Sequence, residues 1–135
     1  MIHLRKFLFA LMLATLPQSG HAFTATNGLK VNPAGGAVFE VIGRSRTRGE
    51  GYWCAAADFA RRKLKSGWHD QVYIARTLGQ STTSKRVSAV HFTVDPAAAG
   101  VALIKPSHSL NSYKVGDHMS VQIANNYCNA GIDAF

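Results

Sequence analysis

The chain has two cysteines, Cys54 and Cys128, and they are its only candidates for thiol chemistry. Cys54 opens the helical stretch Gly51–Gly67. A thiol in the first turn of a helix feels the positive end of the dipole, and Arg61 lies two turns further on. Both effects favour the thiolate. His91, in a strand-like segment, is the candidate base of a Cys–His pair. The same two cysteines support a plainer reading. In an exported chain an even pair is first a disulfide. Closing a loop of about 75 residues would stabilise the fold by about 4 kcal/mol on the chain-entropy model.

A strand histidine facing a helix-start cysteine is the layout of papain-like cysteine peptidases, and Gly51-Tyr52-Trp53-Cys54 resembles their helix-start segment. That resemblance implies a small hydrolase with Cys54 as nucleophile and His91 as base. The chain lacks the family's glycine-framed cysteine and a clear third, orienting residue. The partner Cys128 and the expected export favour the disulfide Cys54–Cys128.

Other chemistries are poorly represented. Beyond the N-terminal segment the histidines are His69, His91, His108 and His118, and no two stand at an H-x-x-x-H spacing. No metal site or cofactor is expected. There is no nucleophile elbow and no phosphate-binding glycine loop. Seven carboxylates in the whole chain leave little for paired acid–base work. Cations are the conspicuous residues. Arg44, Arg46 and Arg48 alternate in the loop before the helix, and Arg61, Arg62, Lys63 and Lys65 gather toward its end. Alternating arginines suit bidentate contact with phosphate or carboxylate. The competing reading is a solvated face that keeps a small protein soluble. No aromatic residues interleave with these cations, so no nucleic-acid-stacking motif is present.

The elements that must carry these residues can be read in order. Phe23–Gly36 is rich in Thr, Asn, Gly and Pro and reads as an extended lead-in with turns. Residues 37–44 form a strand with apolar residues on both faces, hence an interior one. In the helix, Trp53, Ala56, Ala57, Ala60 and Leu64 share one arc, Asp58, Arg61, Arg62 and Lys65 lie opposite, and Cys54 falls on the rim. Ser66-Gly67 is the helix stop. Strands follow at 71–76 and 86–94, with a polar connection at 77–85 and a short strand at 101–105. Residues 118–124 alternate, with Met119, Val121 and Ile123 inward, and read as a last strand. Asn125–Phe135 is a polar tail.

This order predicts a single α+β domain over residues 37–135: a small, mostly antiparallel sheet of four or five strands, one helix packed on one face, and one disulfide. Ahead of it, residues 1–22 read as a signal peptide. Arg5 and Lys6 precede an apolar run over 7–16, and Gly20 and Ala22 occupy the −3 and −1 places. That run is too short for a bilayer, which needs about 20 apolar residues, and no later stretch is a transmembrane segment. Cleavage after Ala22 of the 135-residue chain would leave 113 residues with 13 Lys and Arg against 7 Asp and Glu, a formal +6.

The expectation is therefore a periplasmic or extracellular monomer of accessory type. Its basic surface would meet an anionic polymer, an anionic membrane surface or an acidic protein. A cysteine hydrolase and a purely structural envelope protein are the alternatives.

Overall fold

The computed structural model describes residues 22–129; the signal-peptide expectation lies almost entirely outside them. Six strands form one antiparallel sheet: β1 (Phe23–Thr24), β2 (Lys30–Pro33), β3 (Val38–Ile42), β4 (Gln71–Gly79), β5 (Ala89–Thr93) and β6 (His118–Ser120). Their spatial order is β1-β2-β3-β5-β4-β6. Helix α1 (Gly49–Arg62) and a short helix α2 (Val121–Asn126) pack together, and a 3-10 turn at Tyr127–Asn129 ends the described chain. The fold is α+β with one disulfide, as expected, with six strands in place of four or five.

Alternation along the strands decides which face is covered. Phe39 and Val41 of β3, Val90 and Phe92 of β5, and Val72 and Ile74 of β4 all belong to the core beneath α1. Trp53 meets Phe92 edge-on at 5.1 Å, and Phe59 packs against Phe39 at 4.6 Å and Phe23 at 5.3 Å. The opposite face carries Glu40, Ala89, His91 and Thr93, which are also buried. The β4–β5 connection folds over part of that face.

Three expectations are corrected. Residues 23–36 are more than a lead-in, for they supply β1 and β2, with Phe23 opposite Val31 and Val31 opposite Val41. Their turn is built on Asn27-Gly28, where Gly28 takes a φ of +85°. Residues 101–105 form no strand; the backbone N–H of Ile104 reaches Gly116 across the loop, at 3.4 Å.

Residues 118–124 are a three-residue strand followed by a helix. Ser120 caps α2 by accepting from the Ile123 N–H at 3.2 Å. The first-turn donors of Val121 and Gln122 reach the carbonyls of Asp70 and Trp68 at 2.8 and 3.0 Å. Ile123, expected inward, is therefore 51% exposed.

Helix α1 is walled in on more sides than a one-sided amphipathic pattern suggests. Tyr52 through Ala60 are all buried, Cys54 and Asp58 included. The sheet lies beneath, α2 beside it, and the β1–β2 turn along another flank, where Asn27 donates to the Gly51 carbonyl. Regular helix ends at Arg62, so Leu64 falls outside it and is exposed. The reversal uses Lys65, at φ 61°, with the Ser66 N–H returning to the Ala60 carbonyl.

Candidate functional site

Cys54 and Cys128 are joined in a disulfide with Cα atoms 4.9 Å apart. The bond fastens the 3-10 turn after α2 to the middle of α1. Cys54 is buried, not on an exposed rim. The Cys54–His91 pair of the hydrolase reading is not assembled. Cys54 belongs to the helical layer, whereas His91 alternates with Val90 and Phe92 and so points from the far face of the sheet.

His91 instead joins a cluster that the sequence did not reveal. Glu40 sits mid-strand in β3 and is fully buried. Its carboxylate accepts from the hydroxyls of Ser81 and Thr83, from the Thr82 N–H at 2.8 Å, and from His91 Nε2 at 2.7 Å. An ionised carboxylate only accepts, so the Nε2 of His91 carries the proton. The Arg76 guanidinium stands 4.0 Å away. Burial alone would push this carboxyl up, but the hydrogen bonds from Ser81, Thr83, Thr82 and His91 outweigh it and hold Glu40 at about 2.

Ser81 Oγ also accepts from the N–H groups of Thr83 and Ser84. The 80–88 loop is thus wound around one anion and pinned to the sheet. The Thr82 hydroxyl lies 3.3 Å from His91 Nε2, but that nitrogen carries the proton held by Glu40, and the Thr82 and Ser81 hydroxyls both donate to the carboxylate. The local signals were an acidic residue within the apolar run Val38-Phe39-Glu40-Val41-Ile42 and the hydroxyl run Ser81-Thr82-Thr83-Ser84.

The six cations predicted to bind anions occupy the two ends of α1. Arg44, Arg46 and Arg48 lie before it, with the Arg44 guanidinium on the Gly28 carbonyl at 3.0 Å. Arg62 is held by the buried Asp58 through Nε at 2.7 Å and Nη2 at 2.6 Å, and it covers the Phe23 ring. Those hydrogen bonds push its pKa up further. Asp58 also accepts from the Thr26 N–H at 2.8 Å. Lys65 Nζ turns back to the Arg62 carbonyl at 2.9 Å. Arg61 differs: no carboxylate among the described residues lies within ion-pair distance of it, and its guanidinium stacks 3.8 Å over the Trp68 ring.

Arg61 lies in a cleft of about 580 Å³ over the outer side of α1. Asp58, Arg61 and Arg62 line it from α1, Thr26 from the β1–β2 turn, and Asn125 and Asn129 from the opposite side. Asn125 also lines a neighbouring cleft of about 400 Å³ with Trp68, His69, Gln122 and Asn126. The two clefts adjoin at Asn125 as a polar groove, the first part lined from α1 and the end of α2, the second from the 66–70 turn and α2. Its Trp68 end is held in place, because the 66–70 turn is hydrogen-bonded to the start of α2 and closed by Asp70 accepting from the Gly67 N–H at 2.6 Å.

The remaining histidines are dispersed. His118 packs against Tyr73 with the rings tilted and their centroids 5.2 Å apart, and His108 is exposed in the loop between β5 and β6. No group of three or more His, Cys, Asp or Glu is gathered for a metal ion among the described residues. No helix among the described residues is long and apolar enough to cross a membrane. Set against known proteins, the chain matches no family model, no curated protein and no solved structure.

Proposed function

We propose that this chain is an exported, non-enzymatic binding protein whose cation-rich helical face holds an anionic polymer. One observation carries the reading: the fold sorts its charges by sign. Of the six described carboxylates, Glu40, Asp58 and Asp117 are buried. None of the 13 described Lys and Arg residues is buried. The surface therefore presents a larger positive excess than the formal charge suggests, and a field of one sign draws anions to it.

Geometry favours a polymer over a small anion. The two basic clusters stand at opposite ends of the 14-residue helix α1. A helix of that length spans about 20 Å at about 1.5 Å per residue. An extended polyanion can touch both ends at once. The disulfide occupies the thiol and Glu40 occupies the imidazole, which supports a binding role over a hydrolytic one.

The test is titration of the mature, oxidised protein with dextran sulfate over a salt series. The logarithm of the affinity should fall linearly with the logarithm of salt concentration. Arg61→Gln should weaken binding without changing the melting temperature. Binding that ignores salt, or no binding at low salt, would refute the proposal.

A further inference from the structure

Charge alone does not distinguish a phosphate polymer from an acidic saccharide; the groove does. Around Asn125 it gathers the side-chain amides of Gln122, Asn126 and Asn129. Each amide offers two N–H donors and a carbonyl acceptor. Phosphate oxygens only accept, so half of that inventory would face a phosphate chain unused. Sugar hydroxyls both donate and accept, and they match amides on both counts.

Trp68 adds a second, independent feature. It is 43% exposed, an unusual position for an indole. Its backbone is tied to Gln122 at 3.0 Å. Arg61 stacks on one face of the ring, 3.8 Å from its centroid. An aromatic plate, a set of amides and one guanidinium without a carboxylate partner form a recognisable combination. They suit a ligand with C–H faces, several hydroxyls and a carboxylate.

We propose that the Arg61–Trp68–Asn125 groove binds a uronate-containing saccharide, with the Trp68 indole against a sugar ring, Arg61 on the carboxylate and the amides on the hydroxyls. This assignment rests on the anionic-polymer reading above and narrows it to one ligand class. Nucleic acid is the less favoured occupant, because the groove holds a single aromatic ring and successive bases need successive rings.

Calorimetric titration of the mature, disulfide-bonded chain tests the assignment with four probes: an oligogalacturonate, the matching neutral galactose oligomer, polyphosphate and oligothymidylate of similar length. The oligogalacturonate should bind at least about tenfold more tightly than each of the others. Trp68→Ala and Asn125→Ala should each weaken it about fivefold or more, as loss of a contact worth about 1 kcal/mol would. Lys105→Gln, exposed in the β5–β6 loop and outside the lining of either cleft, should change it less than about twofold, as expected of a peripheral charge. Melting temperatures of the variants establish that they are folded. Polyphosphate or oligothymidylate binding as tightly as the uronate, or Trp68→Ala without effect on a folded protein, would overturn the saccharide assignment and leave the basic surface standing. Failure of all three anionic probes would overturn both.

Discussion

Replacing Glu40 by Gln should expose how much this fold depends on one buried charge. The side chain keeps its size, but an acceptor-only group becomes an amide. The hydroxyls of Ser81 and Thr83, the Thr82 N–H and His91 Nε2 all converge on the native carboxylate. An amide N–H in place of one carboxylate oxygen would point a donor at donors. Hydrogen bonds to charged groups are worth about 1.5–3 kcal/mol each but do not add in a shared network.

The titration of Glu40 supplies a single figure for the whole set. Its pKa moves from 4.5 to about 2. At 1.36 kcal/mol per pKa unit, that is about 3 kcal/mol favouring the charged form in the native state. Because the folded pKa is the lower one, this stabilisation is complete above about pH 5 and is lost progressively as pH falls toward 2. Urea denaturation of the native chain and of Glu40→Gln at a series of pH values measures it. The variant should be less stable by about 3 kcal/mol at neutral pH, and the gap should narrow steadily from pH 5 downward. Other carboxylates titrate in both proteins and cancel in the difference. A gap that is the same at pH 7 and pH 2.5, or below about 1 kcal/mol at pH 7, would refute the claim that the charge holds the loop.

Three further outcomes concern α1 and its C-terminal reversal. The oxidised protein should contain no free thiol, and the double variant Cys54→Ala/Cys128→Ala should lose up to about 4 kcal/mol. That lowers the melting temperature by about 15 °C for a domain of this size, read by calorimetry, and a fall of less than about 3 °C would refute it. Lys65, in the reversal after the helix, takes a left-handed φ of 61°, which costs a residue bearing a Cβ about 1 kcal/mol. Lys65→Gly should therefore raise the urea midpoint, and a clear decrease would count against the reversal being strained there.

Period and composition were enough to read the framework. The strands over 37–44, 71–76 and 86–94 and the helix between the first two follow from apolar spacing, which burial imposes locally. The pairing of Cys54 with Cys128 needed only their number and the expected export. The hairpin β1–β2 was also within reach, since Asn27-Gly28 is a turn signal between short apolar segments. It was obscured because β1 and β2 are short and sit at the sheet edge, where alternation has little length in which to show. Residues 118–124 failed for a different reason. Met119, Val121 and Ile123 fit a strand period, while Val121 and Ala124 fit one helical turn. The carbonyls of Trp68 and Asp70, some 50 residues earlier in the chain, accept the first-turn donors and settle the choice.

The sequence by itself determined an α+β chain with an excess of cations and one candidate disulfide, because hydropathy period, charge and cysteine count are local properties. Only the tertiary structure decided which charges are engaged. Arg61 and Arg62 are adjacent and chemically identical, yet Asp58 and Phe23 hold one while the other stacks on Trp68 at the edge of an amide-lined groove. Likewise Glu40 becomes the centre of a buried network because the β4–β5 loop returns across the sheet to meet it. Solvation and hydrogen bonding are set by groups distant in sequence, so a residue's type and spacing state what it can do, and its neighbours in space decide what it does.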